Sequence, residues 1–273
     1  MLLAGRRGNR PDIPENVRRE FFDPDCTVRD EGSYRLIVNR KTLAASCVNY
    51  TGHDGSASGT GTFTYRCGNP EESLRSLVSD FREGRYDPAC LLGHYFIFLF
   101  LPEGFSILTD GTGLVKAWHD GDGSFLTSSF LLAARLTESR VLNREAATEN
   151  LVTGGITGAE TLLRGISVFS RASARLFSSI RFVMPATGER GRSPASAGEA
   201  AGSQAALLTG YFRSWSRLTG KSGPDIGLTG GYDSRLVLAC AIDSFNDLQV
   251  HSHHRPAGSE ELRIARMIAE GEG

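Results

Sequence analysis

Short runs rich in β-branched and aromatic residues recur between residues 34 and 127, and they predict a strand-dominated first half. Strands are expected over residues 34–38, 44–50, 62–67, 95–101, 106–109, 114–118 and 124–127. The glycine-rich stretch 51–62 is predicted to be a loop. Residues 1–30 are charged, contain three prolines and lack a periodic pattern, so we expect an irregular start.

Helical periodicity interrupts these strands in three places. In Pro70–Arg82 the apolar residues at positions 74, 77, 78 and 81 have the spacing of one helix face. Phe130–Leu136 and Arg144–Thr153 are predicted to be two further helices, and the glycine pair at 154–155 is expected to end the second. Strands with a few helices predict an α+β domain over residues 34–183.

A change of composition at residues 184–203 predicts a flexible linker, because glycine, proline, serine and alanine dominate there. Ser203 is predicted to cap a helix that runs to about Leu218. The pattern then becomes strand (225–228), loop (229–233), helix (234–242), strand (248–252) and helix (259–269). This alternation indicates a parallel α/β sheet. We therefore divide the chain into residues 1–183, a linker over 184–203 and a second domain over 204–273.

The overall composition excludes several classes of protein. The 273-residue chain has a formal net charge of −1, so no general attraction to nucleic acid or to an anionic membrane is expected. Five cysteines without a CxxC pair argue against a disulfide framework and a zinc ribbon. The longest apolar run, residues 95–101, is shorter than the about 20 residues that span a bilayer. We expect a cytoplasmic protein without nucleic-acid or membrane partners.

The loop sequence LTGGYDSR at 228–235 carries the clearest chemistry in the chain. Gly230 and Gly231 permit a sharp turn and a close approach of a ligand, and amides at the start of the following helix bind anions. Thr229 and Ser234 add hydroxyl donors, and Asp233 is placed to hold Mg²⁺ against phosphates. The predicted ATP and pyrophosphate-binding residues are Thr229, Gly230, Gly231, Tyr232, Asp233 and Ser234.

The alternative interpretation of this loop is a simple strand-to-helix turn. In that case the two glycines only relieve strain and Ser234 only caps the helix. Neither a Walker GxxxxGK[ST] loop nor a GxGxxG motif is present, so those two kinds of phosphate site are excluded. The whole string, in its strand–helix context, favours the phosphate loop.

The TGGYDS string resembles the SGGxDS loop of the PP-loop ATP pyrophosphatases, most closely that of the asparagine synthetase family. Thr229 replaces the first serine and keeps its hydroxyl. Residues 248–254 resemble the family's second strand, so the resemblance implies that Val250, His251 and Ser252 border the adenine pocket. It also implies ATP and Mg²⁺ as cofactors, with a small-molecule carboxylate and an amine or ammonia as substrates. ATP would adenylate the carboxylate and release pyrophosphate before the amine attacks.

The first half carries weaker parts of the same pattern. Residues 93–96, residues 109–113 and Trp118 resemble the family's hairpins, residues 125–129 resemble its FASE strand, and residues 160–166 resemble the segment that closes its first domain. In that family the first domain is an N-terminal-nucleophile glutaminase. The resemblance therefore implies an α/β/β/α sandwich over residues 1–183 and the start of a PP-loop fold over residues 204–273.

Two departures from the family change what we expect of the chain. A glutaminase of this kind needs a cysteine at its mature N-terminus, whereas the first cysteine is Cys26 and removal of Met1 exposes Leu2. The NGE and GSD motifs are missing, and the nearest stretch, residues 66–69, has no carboxylate. We expect no glutaminase activity. The family's synthetase domain also continues well past two βα units, so we expect a truncated chain, or completion of the domain by a second chain or a homodimer.

Two functions follow from this pattern. The first is an ATP-dependent amide-bond-forming ligase with an inactive glutaminase half, and the second is a non-catalytic module that binds a nucleotide or a partner. His251, His253 and His254 could form a metal site or simply a polar strand end, and we favour the polar strand end. Asp110 and the carboxylates at 120 and 122 could form a pair for acid–base chemistry. They lie in glycine-rich turns, however, where aspartate is common, and we favour a structural role in these turns.

Overall fold

The computed structural model describes residues 2–6, 13–31, 34–39, 47–137, 140–170, 172–177, 180–183, 196–219, 223–252 and 259–271. The chain forms two compact units. The first comprises Met1–Arg66 with Pro70–Thr187, and the second comprises Cys67–Asn69 with Gly188–Gly273. Both units mix helices and strands, which confirms the coarse prediction of an α/β and α+β protein. Among the described residues, no helix combines the length and the apolar character needed to cross a membrane.

Two sheets form the centre of the first unit. Its described strands are β1 Leu2–Arg6, β2 Thr27–Glu31, β3 Tyr34–Val38, β4 Cys47–Gly52, β5 Gly55–Tyr65, β6 Leu91–Leu101, β7 Gly104–Thr109, β8 Trp118–Asp120, β9 Phe125–Thr127, β10 Ile166–Val168 and β11 Ile180–Val183. One sheet has the order β10-β8-β9-β1-β3-β2 and the other β11-β7-β6-β5-β4. Their pairs are antiparallel except for β11 with β7, which run parallel.

The inner faces of the two sheets share one hydrophobic cluster. Phe96 and Phe98 of β6 belong to it together with Leu36 of β3 and Leu126 of β9. Alternate residues of a strand point to opposite faces, so Ile97 of β6 belongs to a different cluster. The apolar run at residues 95–101 of β6 is therefore buried on both faces.

Helices cover the outer face of each sheet. The described helices of this unit are α1 Glu15–Phe21, α2 Pro70–Arg82, α3 Phe130–Leu136 and α4 Arg144–Thr153. Leu74 and Leu77 of α2 are fully buried in the cluster that contains Ile97. Val17 of α1 and Leu132 of α3 pack with strands of the other sheet. The packing order is thus helix, sheet, sheet and helix.

The predicted loop over 51–62 is wrong, because those residues form most of a β-hairpin. Strands β4 and β5 pair from Cys47↔Thr60 to Gly52↔Gly55. The glycines serve the sheet instead of a loop: Gly61 has a φ of +106° and a Cβ there would lie 2.1 Å from the carbonyl oxygen of His94. Gly93 on the partner strand is confined in the same way by Thr62. Glycine in a strand commonly marks such close backbone approach.

Two further predictions in the first unit are corrected. The expected irregular start contains β1, α1 and β2, and β1 pairs with both β3 and β9. These partners lie far along the chain, so local periodicity could not reveal them. The strand expected over 114–118 begins only at Trp118, because the amides of Leu114 and Val115 donate to the carboxylate of Asp110 instead of to a neighbouring strand.

The second unit contains a long helix and a β–α–β–α arrangement. Its described elements are α5 Ala197–Leu218, β12 Asp225–Gly227, α6 Tyr232–Ala241, β13 Gln249–His251 and α7 Glu260–Gly271. Strands β12 and β13 are parallel, as the alternation predicted. Ile226, Leu228 and Leu238 share a cluster with Ala265 of α7.

The predicted linker is too long at its C-terminal end. Helix α5 begins at Ala197, and Ser196 caps it by accepting a hydrogen bond of 3.1 Å from the amide of Glu199. Serine followed by glutamate three residues later is a helix-start signal, and the alanines of the segment favour helix. Ser203 therefore lies inside the helix and does not cap it. Residues 184–195 of the predicted linker lie outside the described residues.

Candidate functional site

The loop predicted to bind phosphates lies between β12 and α6. Ile226 and Leu228 are buried, whereas Thr229 is exposed, so the chain leaves the core at the start of the loop. Helix α6 begins at Tyr232, two residues earlier than predicted, with Gly231 at its N-cap position. Asp233 and Ser234 consequently lie in the first helical turn. No side chain caps this helix, and first-turn amides have no partner within their own helix.

The two hydroxyl groups of the loop hold it together. Ser234 Oγ lies 3.0 Å from the amide nitrogen of Thr229, which donates to it, and 3.0 Å from Thr229 Oγ1. The amide of Gly231 donates to Thr229 Oγ1 across 3.2 Å. Two loop amides and both hydroxyls are thus engaged inside the loop. The structure brings Thr229 and Ser234 together, and it gives them a bracing role that the sequence interpretation lacked.

Gly230 fixes the position of the loop against α7. A Cβ on Gly230 would lie 2.9 Å from the Cα of Glu261, closer than real Cβ atoms approach. Because Glu261 is in the first turn of α7, the N-terminal ends of α6 and α7 border the same loop. Each helix N-terminus carries a partial positive charge. The glycine is therefore required by packing.

The charged side chains of the loop have separate orientations. Asp233 is exposed at the start of α6, where a carboxylate is favoured by the helix dipole. Arg235 turns back: its Nε donates to the carbonyl oxygen of Gly231 across 3.2 Å, and its guanidinium lies 4.4 Å from the ring centroid of Tyr232. Tyr232 is 84% exposed. Within the described part of the chain, no group of three or more His, Cys, Asp or Glu side chains could hold a metal ion.

The strand predicted to border adenine presents its residues in two directions. Val250 is half-buried and packs against the hydrophobic cluster of the unit. His251 is paired with Gly227 in the ladder, and its Nδ1 lies 2.6 Å from Asp225 Oδ1. Ser252 follows the strand directly. His253 and His254, the other members of the weighed metal site, lie outside the described residues.

Asp225 is the polar residue that sequence analysis missed at this sheet. It lies on β12 two positions before Gly227, the residue paired with His251, so His251 reaches it diagonally across the two strands. This contact depends on a pairing register between residues more than twenty positions apart, which the sequence did not reveal.

Asp110 in the first unit confirms the interpretation of turn chemistry. Its carboxylate accepts hydrogen bonds from Tyr95, Thr112, Leu114 and Val115. Burial alone raises the pKa of Asp110, but the hydrogen bonds outweigh burial and hold this pKa below its usual value. The group is therefore an ionised structural acceptor. It positions the segment between β7 and β8.

A second buried carboxylate lies beside the stretch in which a GSD motif was sought. Asp80 accepts hydrogen bonds from Tyr65 Oη at 2.9 Å and from Arg66 Nε at 2.7 Å. Burial raises the pKa of Asp80, and the hydrogen bonds from Tyr65 and Arg66 with the nearby guanidinium charges lower it more, so it lies below its usual value. Arg66 and Cys67 have positive φ angles of 51° and 60°. Asp80 therefore stabilises the end of β5 instead of serving as a free acid.

No protein-family model matches the chain, and no curated protein matches it.

Proposed function

We propose that the second unit binds the phosphates of Mg²⁺-ATP at residues 229–234 and serves an asparagine-synthetase-like, ATP-dependent ligase. One observation carries this proposal: the N-terminal ends of α6 and α7 border a single glycine loop that follows a parallel strand. In open α/β sheets, ligands bind beyond the carboxyl ends of the strands. Two helix N-termini at that position favour a polyanion.

The order of the elements and the packing of the layers also support this assignment. Parallel β12 and β13, joined through α6 and followed by α7, have the order expected at the start of a PP-loop domain. The helix–sheet–sheet–helix packing of the first unit has the layers expected of a glutaminase-like sandwich. Both assignments are part of the proposal.

In the proposed reaction, an oxygen of a small-molecule carboxylate attacks the α-phosphorus of ATP and pyrophosphate leaves. An amine or ammonia then attacks the acyl carbon, and AMP leaves with formation of the amide bond. Free amides at the start of α6 would hold the pyrophosphate, and Thr229 with Ser234 would keep the loop in shape. Asp233 fits Mg²⁺, because this ion is commonly held by one or two carboxylates together with phosphate oxygens.

A nucleotide-binding module without turnover is the second candidate. The observation that favours it is the contact between the two loop hydroxyls, Thr229 Oγ1 and Ser234 Oγ. Because these hydroxyls bind each other, fewer donors are left for the phosphates of a reacting nucleotide. In the described residues Asp233 also has no companion carboxylates or histidines that would complete a metal cluster. Binding of ATP without pyrophosphate release distinguishes this module from the ligase.

The test is calorimetric titration of the full chain with Mg²⁺-ATP, accompanied by an assay for pyrophosphate. Asp233→Asn should weaken Mg²⁺-ATP binding about tenfold, since it removes a charge that acts through the metal. Asp243→Asn is the matched control, because Asp243 is exposed in a 3-10 turn away from the loop, and its affinity should equal that of the parent. Equal affinities of Asp233→Asn and the parent would contradict the assignment of the site.

A further inference from the structure

A cavity of about 330 Å³ opens in the first unit between α4, the segment that follows it and strand β8. Sites for small molecules commonly have volumes of about 300–1,000 Å³, so this cavity suits a ligand near the lower limit. Its lining includes Lys116, Trp118, Phe130, Asn150, Glu160 and Val168. All of these residues are described, and none takes part in the proposed nucleotide site.

The cavity has one positive and one negative side chain that do not pair with each other. Among the described residues, neither an ion pair nor a hydrogen bond joins Lys116 to Glu160, and Lys116 has no other partner there. Glu160 Oε2 accepts a hydrogen bond of 2.9 Å from Asn143 Nδ2, which fixes the carboxylate at the start of α4. Both groups are exposed, so both remain accessible to a ligand.

The remaining walls combine an apolar surface with unused polar groups. The rings of Trp118 and Phe130 meet at an angle of 60° with centroids 6.0 Å apart, and Val168 also lines the cavity. The side-chain amide of Asn150 and the indole N–H of Trp118 have no hydrogen-bond partner among the described residues. A cationic group, an anionic group and an apolar wall thus border one small space.

We propose that this cavity binds a free α-amino acid with an apolar side chain, in its zwitterionic form. The ligand carboxylate would pair with Lys116, its ammonium with Glu160, and its side chain would contact Trp118 and Phe130. A simple anion is disfavoured because Glu160 repels it, and a simple cation is disfavoured by Lys116. A zwitterion satisfies both charges, and its size agrees with the volume of the cavity.

Trp118 provides a direct measurement, because the chain has only two tryptophans. In a Trp215→Phe background the emission comes from Trp118 alone, and L-leucine, L-methionine and L-phenylalanine are titrated into the full chain. We expect saturable changes in emission for at least one of them. Lys116→Met and Glu160→Gln should each weaken binding about three- to tenfold, a range set by partly solvated ion pairs. Glu160→Gln keeps an oxygen that accepts from Asn143.

Matched controls separate the charge requirement from general effects. Arg144→Met and Glu145→Gln change exposed charges of α4 that do not line the cavity, and they should leave the affinity unchanged. 3-Phenylpropanoate and phenethylamine each lack one of the two charges and should bind more weakly than L-phenylalanine. Absence of any saturable change up to 10 mM, or equal binding by the one-charge analogues or by the Lys116→Met and Glu160→Gln variants, would overturn the proposal.

Discussion

Gly230 lies so close to Glu261 that a methyl group on residue 230 would come within 2.9 Å of the Cα of Glu261. The contact joins the loop after β12 to the first turn of α7. The second glycine of the loop is less confined, since a Cβ on Gly231 would meet only Thr229 Oγ1 at 3.3 Å. The two adjacent glycines therefore have different physical requirements.

Gly230→Ala should destabilise the second unit by about 1–3 kcal/mol, the usual cost of forcing a group into a packed contact. Because the added methyl group pushes α7 from the loop, affinity for Mg²⁺-ATP should fall as well. Urea denaturation followed by the emission of Trp215 in a Trp118→Phe background measures the stability of this unit. Gly231→Ala is the control, because residue 231 has a φ of −76°, which alanine adopts freely. A smaller loss for Gly230→Ala than for Gly231→Ala would show that the contact does not form.

Asp110→Asn should destabilise the first unit by about 2–4 kcal/mol, because the carboxylate accepts several hydrogen bonds in a buried position. An asparagine presents an N–H₂ group to donors that need an acceptor. Chemical denaturation followed by the emission of Trp118 in a Trp215→Phe background measures the loss. Asp122→Asn, at an exposed position in a turn, should change stability by less than about 0.5 kcal/mol.

The same substitution should also change the response to acid. The folded pKa of Asp110 lies below its usual value, so its contribution to stability is present above the unfolded pKa of about 3.9. That contribution is lost as the pH falls from there through the folded pKa. The parent should therefore lose more stability than Asp110→Asn as the pH falls below about 4. Parallel curves for the two proteins would mean that Asp110 is not held in its ionised form.

Gly202→Ala tests the corrected start of helix α5. Gly202 is exposed within the helix, and a Cβ there meets no atom within 4 Å. Alanine should therefore stabilise the second unit by about 0.5–1 kcal/mol through its higher helix propensity. Gly154→Ala is the opposite control, since Gly154 ends α4 with a φ of +79° and alanine should be unfavourable there. A flexible linker at residue 202 would instead leave stability unchanged.

The sequence predicted those elements whose ends are set by neighbouring residues. Helices α3 and α4 have the predicted bounds, because Ser129 and Asn143 cap them and Gly154 ends the second. The glycine loop was located between a strand and a helix for the same reason, since its signals occupy eight consecutive positions. Local chemistry was sufficient in each of these cases.

The misplaced start of α5 and the late start of β8 have local causes, whereas the other failures involve partners that lie far apart along the chain. Glycine at residue 61 normally indicates a loop, but here it allows β5 to approach β6 at His94. The contact between Gly230 and Glu261 and the pair formed by Asp225 and His251 also depend on tertiary packing. A single sequence gives residue types but not their register, so neither relationship could be predicted from it.

Strand β1 has a consequence for folding during synthesis. Leu2 pairs with Val38 on one side, but on the other side Leu3 pairs with Thr127. A ribosome that adds about 5–20 residues per second needs roughly 6–25 s to make the intervening segment. For that time one edge of the nascent strand has unsatisfied amides and carbonyls, which other extended chains can pair with. Newly made copies of this protein should therefore be most prone to aggregation, and most dependent on chaperones, before residue 127 has left the ribosome.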